Sequence, residues 1–119
     1  MGIAVQWDNP EQTTILWDFE QTWSWDEFAD SARVSSAMLA SMDRSVDVIL
    51  NVAGSRPPFG KITAYHRSAF EYVPTNIGVL MLVCGDEMSA AQLLIPFFSN
   101  LEIVETLEDA HERLQMQTA

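Results

Sequence analysis

One serine, one cysteine and two histidines are the side chains of this chain best placed to make or break covalent bonds, and their spacing decides what each can do. Ser55 sits in the loop Gly54-Ser55-Arg56-Pro57-Pro58-Phe59-Gly60, beside a cation and just ahead of an expected helix. A serine so placed can be a phosphoacceptor or an anion ligand, because helix N–H groups and a guanidinium both favour negative charge. The competing reading is a turn serine that bonds its own main chain. Cys84 ends a buried apolar run, where a thiol acts as a small hydrophobe. As a nucleophile it would need a base beside it, and His66 is the candidate. His66 and His111 stand far apart and outside any ligand-spaced cluster, so no metal site is expected. Asp26/Glu27 and Glu108/Asp109 open helices, where capping and the helix dipole account for them. Neither an enzyme nor a cofactor is expected.

Charge points to binding instead. The formal net charge is −11, which argues against nucleic acid and anionic membranes as partners. Residues 1–32 carry seven acids and no Lys or Arg. From Arg44 to Phe70 the sign reverses, with Arg44, Arg56, Lys61 and Arg67 against Asp47. Ser55, Arg56, Lys61 and Arg67 are therefore the candidate partner- or anion-binding residues, the alternative being ordinary solvated charges. A second lead is apolar. Residues 90–98 contain one polar side chain, Gln92, and a helix apolar all round must be buried or meet something. Leu94, Phe97 and Phe98 are the candidates for a ligand wall or a dimer surface; otherwise Pro96 breaks the helix and the rings return to the core.

The elements that would position these groups follow from periodicity. At 119 residues, 48% hydrophobic, the chain reads as one domain spanning 1–119 with a real core. No run approaches the roughly 20 apolar residues needed to span a bilayer, and Met1-Gly2-Ile3-Ala4 does not open a leader peptide, so a cytoplasmic location is expected. Ile3–Trp7 and Thr13–Phe19 read as a hairpin across the Asp8-Asn9-Pro10-Glu11 turn. Ser24-Trp25-Asp26-Glu27 is a capping box for a helix to about Asp43, with Trp23 poised to staple onto Phe28. Val46–Ala53 and Gly78–Cys84 are apolar runs of the kind buried on both faces of a sheet. Stripes over 61–73 and 87–98 read as crossover helices. Leu101–Val104 is a last strand, and Thr106-Leu107-Glu108-Asp109 caps a final helix. The expectation is α/β: a single mixed, mostly parallel sheet of five strands with four helices, in the order β-β-α-β-α-β-α-β-α. The loop after the Val46 strand then lies at the carboxyl end of the sheet, where α/β proteins meet ligands and partners.

On TTILWDFEQTWSWDEF, VDVILNVAGS and TLEDAHERL, the chain resembles the STAS or SpoIIAA-like family of small bacterial proteins, related also to CRAL-TRIO-like folds. That resemblance implies a regulatory, protein-binding module, docking through residues 54–60 and the second helix. Through the CRAL-TRIO relation it implies, as the alternative, a carrier or sensor of a lipid-like ligand with an anionic head. A homodimer is a further expectation. Antagonists of the family carry an Asp-Ser pair in the loop, with the serine phosphorylated; here Ser55 follows Gly54, and Asn51 stands where those proteins often have an aspartate.

Overall fold

The computed structural model describes residues 2–56, 58, 63–64, 76–85, 92, 95 and 101–118. Its first two strands, β1 (Ile3–Trp7) and β2 (Thr14–Phe19), pair antiparallel with Val5 opposite Trp17. Asn9 holds the turn between them: its Oδ1 accepts from Thr13 N–H at 3.0 Å and its Nδ2 donates to the Thr13 hydroxyl at 2.6 Å. This is the local side-chain bonding that makes Asn a turn residue.

Helix α1 spans Trp25–Ala40. Ser24 caps it in an extended conformation, its hydroxyl accepting from Glu27 N–H at 3.1 Å. Glu27 does not complete the box on the cap's own N–H. Its Oε1 accepts from the Ser24 hydroxyl at 3.2 Å, and its Oε2 takes the Gly2 N–H, tying the head of the helix to the start of β1. The helix stops short of Asp43 because its carbonyls are met early. The Ser41 hydroxyl donates to Met38 C=O at 2.6 Å, and the Asn76 amide donates to Leu39 C=O at 2.9 Å. Groups left over at a helix end need such partners.

Strands β3 (Val46–Asn51), β4 (Ile77–Val83) and β5 (Leu101–Val104) follow, and helix α2 (Leu107–Thr118) closes the chain. Thr106 caps α2 through its hydroxyl, which accepts from Asp109 N–H at 3.0 Å. The sheet order is β1-β2-β3-β4-β5, with β1 antiparallel and the other neighbours parallel. The ladder is irregular between Val46 and Val48, and there the Asp47 carboxylate accepts from Val79 N–H at 2.9 Å.

Alternate residues of the inner strands enter opposite cores. Ile15, Trp17, Val48, Leu50 and Leu82 face α1, whereas Leu16, Ile49, Met81 and Val83 face α2. Burial on both faces is what the unbroken apolar runs encode. On the α1 side Phe28, fully buried, lies with its ring centroid 5.4 Å from Trp17, 5.6 Å from Trp25 and 5.8 Å from Trp23.

The single α/β sheet stands, but the helix count is corrected: the described residues form two helices, α1 and α2, where four were expected. The other two were expected over 61–73 and 87–98, stretches that lie almost wholly outside the described residues. The two helices that are described both start at the cap pairs expected for them, Ser24 with Glu27 and Thr106 with Asp109. Of residues 61–73 and 87–98, only Thr63, Ala64, Gln92 and Ile95 lie among the described residues, and Ile95 packs half-buried against the α1-side core.

Candidate binding surface at the carboxyl end of the sheet

β3 delivers the chain into a tight turn. Val52 N–H still bonds Val83 C=O at 3.0 Å, after which Gly54 takes φ +78° and turns the backbone. A left-handed residue is what glycine accepts without strain. Ser55 then folds back: its N–H reaches Val52 C=O at 3.0 Å and its hydroxyl donates to the same oxygen at 2.8 Å. Only 7% of Ser55 is exposed. The hydroxyl is thus a turn lock, turned away from solvent, and its geometry is that of the structural reading.

Arg56 follows with the opposite character. Its main-chain N–H is fixed on Gln21 C=O at 2.9 Å, and its residue is exposed. Among the described residues the guanidinium meets no carboxylate. Arg44, counted in the same basic stretch, is removed from any such surface because its Nη2 donates to the Glu11 and Gln12 carbonyls at 2.7 and 3.0 Å. There it braces the hairpin turn. Lys61 and Arg67 lie outside the described residues, as do Leu94, Phe97 and Phe98 of the apolar segment.

The neighbouring strand end is closed. Cys84 is 8% exposed, with its sulfur 3.4 Å from both the Gly85 and Val104 carbonyl oxygens. A thiol whose single proton reaches one or other of two main-chain carbonyls, with so little solvent contact, has the surroundings of a packing cysteine; His66, its proposed base, lies outside the described residues. Gly85, at φ +65°, comes so near the β3 turn that a Cβ on it would stand 3.1 Å from the Ala53 Cβ. The two strand-end turns therefore lie against each other, at Gly85 and Ala53.

Two polar pairs were not read from sequence. Asn51 Nδ2 donates to Asp18 Oδ1 at 3.3 Å while its own Oδ1 accepts from Ala53 N–H, so the β3 asparagine shapes the turn. His111 on α2 lies with Nε2 2.8 Å from Asp8 Oδ2, joining residues 103 apart in the chain. Nothing in local spacing could have paired them. Among the described residues no group of His, Cys, Asp and Glu gathers to hold a metal, and no helix is long and apolar enough to cross a membrane. Comparison of the chain with family models, with curated proteins and with solved structures finds no match.

Proposed function

We propose that the chain is a non-enzymatic, cytoplasmic protein-interaction module of the STAS/SpoIIAA-like kind, which presents Arg56 to an acidic patch on a partner. The observation that carries this reading is the contrast within one turn. The main chain of residues 54–56 is held by Ser55 on Val52 and by Arg56 on Gln21, while the Arg56 side chain stands exposed in a chain of net charge −11. With the main chain already fixed, binding orders the Arg56 side chain but no loop backbone, which removes one of the costs of association. The sign of the Arg56 charge, against so acidic a background, selects orientation and partner. The Ser55 hydroxyl and the Cys84 thiol, both bonded to carbonyls, favour binding over covalent chemistry.

The test is affinity capture from the source cells with wild type and Arg56→Glu side by side, quantified by mass spectrometry. The expected result is a specific partner whose recovery falls by at least about tenfold, ~1.4 kcal/mol, with an unchanged circular dichroism spectrum and thermal midpoint. Equal recovery by both proteins would refute the role of Arg56.

A further inference from the structure

Among the described residues β1 is an edge strand with nothing on its outer side. It stands at one end of the sheet and, among the described strands, pairs with β2 alone. Glu20 N–H bonds Gly2 C=O and Asp8 N–H bonds Thr14 C=O, each at 2.8 Å, which sets the even-numbered residues as those that bond inward. In an antiparallel pair the alternate residues point the other way, so the N–H and C=O groups of Ile3, Val5 and Trp7 open outward. Natural edges are usually blunted with lysine, proline or charge. This one reads Ile-Ala-Val-Gln-Trp and has none of them.

Helix α1 runs beside that edge. Glu27, Asp30, Ser31 and Val34 fall at i, i+3, i+4 and i+7, one stripe of the helix. Together with Ile3, Ala4 and Val5 they line a groove of about 380 Å³. The bond from Gly2 N–H to the Glu27 carboxylate starts β1 and α1 at the same level. The acidic pair therefore lies at the Ile3 end, and Val34, 50% exposed, lies towards Val5. From Glu27 to Val34 the helix rises about 10 Å at ~1.5 Å per residue. Two side chains on one face of an added strand, about 6.6 Å apart, fit in that length.

Charge chooses the occupant. A second copy laid on this edge would bring its own acid-rich N-terminal third, seven acids in residues 1–33 with Arg33 as the one cation, itself paired with Asp30 at 3.2 Å, against the same acids. A basic strand would be drawn in. We propose that the β1 edge and the α1 stripe accept, by antiparallel strand addition, an extended segment of a partner protein with an apolar residue two positions before a Lys or Arg. The apolar side chain lies on Val34 and Val5, the cation joins Arg33 on the exposed Asp30 carboxylate beside Glu27, whose oxygens keep the Ser24 hydroxyl and the Gly2 N–H, and main-chain bonds form to Ile3 and Val5. The residues differ from those around Arg56, so either reading can fail alone.

The experiment is fluorescence anisotropy of the full chain with a labelled peptide of about seven residues that carries Val-Thr-Lys at its centre. Three comparisons accompany it: the same composition scrambled, the same sequence N-methylated at the nitrogens that face β1, and the Val34→Arg protein. Val34→Arg alters an exposed helix position and leaves the fold in place. Each comparison is expected to weaken binding by at least about tenfold, while hydrogen exchange at the Ile3 and Val5 amides slows in the wild-type complex. Equal affinity for the methylated or scrambled peptide would reduce the effect to charge attraction and overturn the proposal, as would no binding. A sedimenting dimer that Val34→Arg dissolves would name a second copy as the occupant and overturn it equally.

Discussion

Replacing Ser55 separates a turn lock from a phosphoacceptor. In Ser55→Ala the Val52 carbonyl loses the hydroxyl at 2.8 Å but keeps the Ser55 N–H at 3.0 Å. No acceptor is orphaned, so the cost is that of one neutral hydrogen bond, about 0.5–1.5 kcal/mol. Ser55→Asp differs in kind. A carboxylate is an acceptor only, it would face the Val52 carbonyl oxygen, and the site is 7% exposed. Burying that charge without a partner is expected to cost upward of ~3 kcal/mol. Urea unfolding followed by tryptophan emission reads both. With a slope of about 2 kcal/mol per molar, the alanine variant moves the midpoint down by roughly 0.5 M and the aspartate variant by roughly 1.5 M or more. If aspartate costs no more than alanine, the site opens readily to solvent, the turn-lock argument is wrong, and a phosphorylated Ser55 becomes the better reading.

Two further predictions test the frame that carries the surface. Phe28→Ala removes a fully buried ring within 5.4–6.1 Å of four aromatic neighbours and is expected to cost about 3–5 kcal/mol in the same urea titration; a loss below ~1 kcal/mol would deny that this cluster anchors α1. Gly85→Ala is expected to cost more than Gly54→Ala, measured as the difference of their thermal midpoints. Both positions have positive φ and carry the left-handed strain of roughly 1–2 kcal/mol. Only Gly85 would also press a methyl against Ala53, at 3.1 Å, while Gly54 has nothing within 4 Å. Equal losses would show that the two strand-end turns do not bear on each other.

How much was legible in the chain depended on the range of the interaction. Ser24 with Glu27, Thr106 with Asp109 and Asn9 with Thr13 are bonds over three or four residues, and residue type at that spacing announces them. The strands were legible for a related reason: burial on two faces leaves unbroken runs such as Val48-Ile49-Leu50, burial that the structure reproduces. What was missed was long in range. Arg44 reads as a surface cation until the hairpin turn some 32 residues earlier is brought to it, and nothing local says that its donors are committed there. Asp47 reads as a solvated strand acid until Val79 supplies an N–H across the ladder.

The same division explains why the candidate surfaces lie where they do. The faces of β2, β3 and β4 are consumed by two cores. At the strand ends, Asn51, Ser55 and Cys84 each turn a polar atom onto the main chain or a neighbouring side chain, because tight turns leave N–H and C=O groups that require partners. Chemistry-bearing residue types are thus the first to be absorbed by structure, and their presence in a loop is poor evidence of reactivity. What remains among the described residues is of another sort: the exposed guanidinium of Arg56, and the main-chain groups of Ile3, Val5 and Trp7 along an edge that has no side-chain guard. On these two features the proposed binding roles rest. The second was hidden in plain sequence, because an edge strand is marked by the charges it lacks, and Ile-Ala-Val-Gln-Trp becomes conspicuous only when the sheet order puts it outermost.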